Sequence, residues 1–289
     1  MIKEQVITKH LVEHILIDAA DLVEIRILEF MSDPSDPETL HKARVSIRTL
    51  RSLVRFIAPW QKRGQNKVTD KALRDVVRVT SRLRELDVLE DHIRSMRPEA
   101  APDLLRSCAD AAQNERLRVY NAFTEKQMQE TLISARRAIH AIEWRSEIDL
   151  QGLAIADIQD HFDMFVQAQD ERYDALDKED VEATHAVRKR AKEVRYVAAK
   201  FKGLLAGETD VIVDHMKQVQ DELGELCDAR VNVGLLLDIP TEGLSVHARR
   251  NIAESLASNY AFIEGALADK EQVSEDDLPA LVSPMTEDQ

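Results

Sequence analysis

Apolar residues along this chain recur at helical spacing, and proline and glycine cut the pattern into stretches of helical length. Runs of β-branched and aromatic residues at period two, the mark of strands, are scarce. Pro34 and Pro37 separate a first predicted helix over 2–31 from a second that starts near Glu38 and stops at Pro59. Gly64 marks the next turn, and a third helix is expected from Asn66 to Met96, ahead of Pro98 and Pro102. A long helical stretch, open to an interruption, runs on to about Trp144 and ends before Gly152. Further helices are expected over 153–177, 180–206, 209–236 and 244–268, with Gly203, Gly207, Pro240 and Gly243 in the gaps. The fold class is therefore all-α. Residues 269–289 hold Pro279, Pro284 and a net negative charge, and read as an acidic, flexible tail.

The common rhythm of the halves predicts an internal repeat. A shift of 144 sets His41 on His185, Arg44 on Arg188, Arg48 on Lys192 and Arg51 on Arg195, and it matches Leu53 with Val197 and Ile57 with Phe201. A shift of 143 then pairs Leu83 with Leu226, Glu85 with Asp228 and Val88 with Val231. The expectation is a tandem duplication of a four-helix unit, with one repeat over about 1–148 and the second over about 149–268.

Charge changes the picture of the second helix. From Leu40 to Phe56 the chain carries Lys42, Arg44, Arg48, Arg51 and Arg55 and no acid, although its formal net charge is −14. His41, Arg44, Arg48, Arg51 and Arg55 fall at offsets 0, 3, 7, 10 and 14, the seam of a helix that normally holds apolar residues against a partner. His185, Arg188, Lys192 and Arg195 repeat the stripe, with Lys189 beside it and Ala199 where Arg55 stood. Like charges one turn apart cost a solvated helix about 0.2–0.5 kcal/mol per pair. In a partly desolvated groove, at an effective dielectric near 20, the repulsion approaches ~3 kcal/mol. The stripe therefore needs anions, either from acids on neighbouring helices or from a ligand. The second alternative describes a two-walled cationic channel for a polyanion.

The remaining composition narrows the class. With 289 residues and 44% apolar content the chain can bury a core, and Cys108 and Cys227 stand apart from any Cys/His cluster. No apolar run approaches 18 residues, so neither a membrane span nor a signal peptide is expected, and a soluble cytoplasmic protein is the expectation.

The stretches LHKARVSIRTLRSLVRF and THAVRKRAKEVRYVAAKF resemble the paired His-x-x-Arg-x-x-x-Arg/Lys-x-x-Arg helices of CHAD domains, the conserved-histidine α-helical domains. RELDVL (Arg84 to Leu89) and LGELCDARV (Leu223 to Val231) resemble the family's downstream segments, with Glu85 in place of the usual Asp and Thr80-Ser81 in place of the first Leu-Gly. The likeness covers about 1–268. It implies two four-helix bundles related by a pseudo-twofold axis, basic helices lining a central groove or pore, and binding of inorganic polyphosphate at polyphosphate granules without catalysis. The site residues it implies are His41, Arg44, Arg48, Arg51, His185, Arg188, Lys192 and Arg195, flanked by Lys42, Arg55 and Lys189. No cofactor, metal or catalytic residue is implied. The signature of the triphosphatase domain that some family members carry fused to them, Glu-x-Glu-x-Lys, does not occur.

The chemistry agrees with that class. Guanidinium groups grip phosphate oxygens bidentately and lysine adds point charge. Histidine gains charge beside an anion, or, at the start of its helix, it caps or packs there.

Other readings rest on shorter signals. HLVEH, His10 to His14, matches a zinc-peptidase pattern without a third ligand, and surface histidines on an amphipathic helix are the simpler account. Asp87 with Glu90 and His92 could support metal-dependent phosphoanhydride hydrolysis, or could serve as partners for Arg82, Arg84 and Arg94. RNA binding would use the same phosphates, but aromatics are only 4% of the chain, which argues against nucleic acid. Glycine-rich phosphate loops are absent from the sequence. Arg74, Arg78 and Arg82 form a further basic row, which either extends the groove at one end or, the reading given more weight, pairs with Asp70 and Asp75 on its own helix, and Arg136 is a loose addition to the basic set. A scaffold role is the remaining alternative.

Overall fold

A computed structural model describes residues 2–96 and 101–268. These residues form α1 (Ile2–Ser32), α2 (Pro37–Phe56), α3 (Gln65–Val79), α4 (Ser81–Met96), α5 (Pro102–Thr124), α6 (Lys126–His140), α7 (Ser146–Gln151), α8 (Ile155–Asp174), α9 (Val181–Phe201), α10 (Thr209–Leu237) and α11 (Val246–Ala268). The fold is all-α, without strands among the described residues. No described helix is long and apolar enough to cross a membrane. The acidic tail expected over 269–289 lies outside the described residues.

The third predicted helix is in fact two, broken at Thr80. The carbonyl of Val77, which an unbroken helix would offer to a backbone N–H four residues on, instead accepts from Arg44 Nη1 at 2.8 Å, Thr80 Oγ1 at 2.9 Å and Ser81 Oγ at 3.0 Å. Leu223-Gly224, at the matching place in the second half, lies within the unbroken α10. The long stretch to Trp144 is interrupted at Glu125, whose backbone is extended, and α9 stops at Phe201 rather than near 206.

Apolar packing does not divide near residue 148. Phe56 of α2 meets Phe162 and Phe165 of α8 and Phe201 of α9 at ring-centroid distances of 6.3, 5.7 and 5.2 Å, inside a core that draws on both halves. Each buried phenylalanine stabilises by about 1.5–3 kcal/mol. A second core joins Leu89 and Ile93 of α4 and Leu104 of α5 to Leu235 and Leu236 of α10 and Ile252 of α11. Gly152, at φ +80°, lets the chain after α7 pass α1: a Cβ there would lie 2.3 Å from the Gln5 carbonyl carbon, beside the hydrogen bond from Leu153 N to Gln5 O.

Candidate functional site

The two basic helices begin on matching caps. Asp36 accepts from Glu38 N at the start of α2, and Asp180 accepts from Ala183 N at the start of α9. The caps are thus aspartates, and His41 and His185 are free to face elsewhere. Both line a groove of about 630 Å³ together with the facing surfaces of α2, α3, α4, α9 and α10. The apolar flank of α2, including Ile47, Leu50, Leu53 and Val54, is buried in the large core, which orients the cationic seam into this groove.

Arg44, Arg48, Arg51 and Arg55 of α2 and Arg188, Lys189 and Lys192 of α9 all border the groove. Arg74 and Arg78 of α3 and Arg84 of α4 join them, against only Glu85, Glu193 and Asp228 as acids. Two expected members are elsewhere. Lys42 is exposed on the other side of His41, in a separate cavity of about 390 Å³ with Glu38 and Lys200. Arg195 does not border the groove, and its guanidinium lies over the Tyr196 ring at 5.2 Å. On a helix one residue's rotation is about 100°, so a sequence neighbour of the seam can sit on another face.

Only some of the groove cations are ion-paired. Asp70 accepts from Arg51 Nε at 3.0 Å and Arg55 Nε at 2.9 Å, and Glu193 pairs with Arg55 and with Arg190. Burial alone would raise the Asp70 carboxyl, but the hydrogen bonds from Arg55 and Arg51 outweigh it and hold the group below its ordinary value. Arg188 faces Asp228 at 3.5 Å. In contrast, Arg48, Arg84, Lys189 and Lys192 make no ion pair among the described residues. Burial, with repulsion from Arg188 and Arg48, pulls Lys192 down to about 7. Burial, then Arg48 and Arg84, pulls Arg44 down to about 9. His41 and His185 are lowered for the same reason, burial first and neighbouring cations second. The groove thus gathers partly buried groups of one charge, and the neighbours of each oppose its protonation.

Similarity supplies the context for that geometry. The profile of the CHAD domain family matches residues 26–237, most of the chain. The chain belongs to the CHAD domain family. Among solved structures, the CHAD domain from the plant Ricinus communis superposes with a TM-score of 0.71 at 20% identity, covering 90% of this chain and 91% of that one. PptA from Streptomyces chartreusis superposes with a TM-score of 0.68 at 11% identity, covering 91% and 98%. At these identities the likeness concerns the fold. Comparison with curated proteins finds no match.

Within this CHAD domain the row Arg74, Arg78, Arg82 splits. Arg74 and Arg78 border the groove, although Arg78 also faces Asp75 at 3.5 Å, while Arg82 lies 3.8 Å from Asp238. Arg84 is the groove residue that the basic-stripe reading missed. Its signal was present: Arg74, Arg78, Ser81, Glu85 and Val88 all border the groove at offsets 0, 4, 7, 11 and 14, and Arg84 flanks that seam. Arg136 is away from the groove, paired with Asp21 at 2.9 Å and Glu24 at 3.1 Å.

The rival sites do not assemble. Glu13 accepts from Trp144 Nε1 at 2.7 Å and pairs with His10 at 2.9 Å. Asp87 is buried against Arg116 at 2.6 Å, with its carboxyl raised by burial, rather than pairing along its own helix. Glu90 does pair with Arg94 on α4, at 2.7 Å. His92 Nε2 lies 3.2 Å from Asn259 Nδ2. Among the described residues no group of three His, Cys, Asp or Glu is placed to hold a metal ion.

Proposed function

We propose that this CHAD domain binds inorganic polyphosphate along the α2/α9 groove and does not cleave it, acting in the cytoplasm at polyphosphate granules. The observation that carries this reading is the set of groove cations without an ion pair among the described residues, Arg48, Arg84, Lys189 and Lys192, inside a chain of net charge −14. Desolvated like charges need a counter-ion, and a chain of phosphates supplies one negative charge or more per repeat. Membership of a family associated with polyphosphate-related proteins supports the same ligand class.

Arginine forks bind phosphate oxygens in pairs, while lysine and histidine adjust protonation to the charge they meet. The aromatic residue bordering the groove is Tyr196, a poor platform for stacking successive bases, so charge density rather than base identity would be read.

The test is binding of purified protein to long-chain polyphosphate and to RNA of matched charge across a salt series, for wild type and for Arg48→Ala with Lys192→Ala. Preference for polyphosphate, a log–log salt slope of about −0.7 per neutralised phosphate, and loss in the double variant are expected. Equal binding of RNA, or no effect of the substitutions, would overturn the reading. Unchanged polyphosphate chain length after incubation is the expected result for the non-catalytic half of the proposal.

A further inference from the structure

The wall of the groove formed by α4 and α10 has a second side. A cleft of about 910 Å³ opens between α4, α10 and α11, and Val88, Asp228 and Asn232 border both cavities. The two spaces therefore adjoin at these three side chains. Their chemistry is opposite. In the cleft Asp91 and Glu225 make no ion pair among the described residues, whereas Arg94 is held by Glu90 at 2.7 Å. The Phe262 ring, on α11, is a partly exposed apolar wall. At the junction Asn232 is only 3% exposed, yet its Oδ1 is buried without a hydrogen-bond partner.

We propose that this cleft seats the base of a nucleotide whose phosphates lie in the basic groove. The inference rests on the polyphosphate reading, because it places the phosphates among the same cations. A phosphate chain crossing into the cleft would meet Asp91 and Glu225, so an inorganic chain is repelled there. A neutral, donor-bearing ring is not. An unpartnered buried acceptor calls for a donor, and the exocyclic amine of a nucleobase supplies one to Asn232 Oδ1. An asparagine amide matches the adenine edge in particular, accepting from the amine while donating to the adjacent ring nitrogen. Phe262 presents a face for the ring. A ligand with one anionic and one donor-rich aromatic end matches both cavities at once.

The test compares ATP with inorganic tripolyphosphate by calorimetry in EDTA, for wild type, Phe262→Ala and Asn232→Leu. Both substitutions are chosen to spare the fold: Phe262 is 41% exposed, and a leucine of similar size removes an unsatisfied acceptor. ATP is expected to bind wild type on the order of tenfold tighter than tripolyphosphate, as for one stacked base. Phe262→Ala is expected to bring ATP down to the tripolyphosphate level and leave tripolyphosphate itself unchanged, and Asn232→Leu, at the border of both cavities, is expected to weaken ATP by a larger factor than tripolyphosphate. Binding of tripolyphosphate with no gain from the nucleoside, or equal loss of both ligands in the variants, overturns this inference and leaves the groove reading standing. Failure of wild type to bind either ligand or long-chain polyphosphate overturns the groove reading and this inference with it.

Discussion

Gly224 lies beneath the guanidinium of Arg188: a Cβ at Gly224 would sit 3.2 Å from Arg188 Nη2 and 3.3 Å from Nε. The corresponding residue in the first half is Ser81, and there Arg44 reaches Thr80 Oγ1 at 2.5 Å and Ser81 Oγ at 3.5 Å. Arg44 is thus held by the Val77 carbonyl and two hydroxyls, whereas Arg188 lies over a glycine of α10 and faces Asp228.

Gly224→Ala is expected to separate stability from binding. In mid-helix, alanine gains about 0.5–1 kcal/mol over glycine. The added methyl displaces the Arg188 guanidinium, the flexible end of its side chain, from the groove wall. The expected result is an unchanged or higher Tm by calorimetry and a several-fold weaker Kd for polyphosphate.

Asp70→Asn is expected to destabilise the fold by about 1–3 kcal/mol in urea unfolding, because Arg51 and Arg55 lose the carboxylate they share. Asp70 has a depressed folded pKa, so its contribution is present above the ordinary carboxylate pKa and is lost as pH falls through the folded value. The same variant frees Arg51 toward the groove while Arg55 keeps Glu193, and a steeper salt dependence of polyphosphate binding is the expected companion result.

Lys192 sets the expected pH response. Its free-state pKa is about 7, against 10.5 for an ordinary lysine, and an anion beside it restores the charged form. Binding therefore takes up protons above pH 7, and affinity falls as pH rises from there, with at most about one proton from this group. Calorimetry in buffers of different ionisation enthalpy measures that uptake. Lys192→Arg, charged throughout, is expected to flatten the slope between about pH 7 and pH 9. In the free protein the sign is reversed for stability. The unfolded chain holds the proton that the folded one releases, so stability rises with pH across the same window.

Arg195 and Lys42 supply the control. Neither borders the groove, so Arg195→Ala and Lys42→Ala are expected to change polyphosphate affinity much less than Arg48→Ala or Arg84→Ala in parallel titrations. Equal losses in all four would show that affinity follows overall charge rather than position.

The sequence by itself determined the helical class and the stripe's own face, whereas the caps of the two basic helices, Asp36 and Asp180, came from the structure. Spacing of 3, 4 and 7 places His41, Arg44, Arg48, Arg51 and Arg55 on one side of a helix whatever surrounds it. What stands opposite that side was decided only in three dimensions. Asp70 is 15 residues from Arg55 and Glu193 is 138 residues away, so local pattern could not say that Arg51 and Arg55 are paired while Arg48 and Lys192 are not. The break at Thr80 shares that origin in part, since the Val77 carbonyl accepts from Arg44, 33 residues away, as well as from the neighbouring Thr80 and Ser81 hydroxyls. Helical periodicity is a property of the backbone and is legible along the chain, whereas charge compensation depends on which helices pack together.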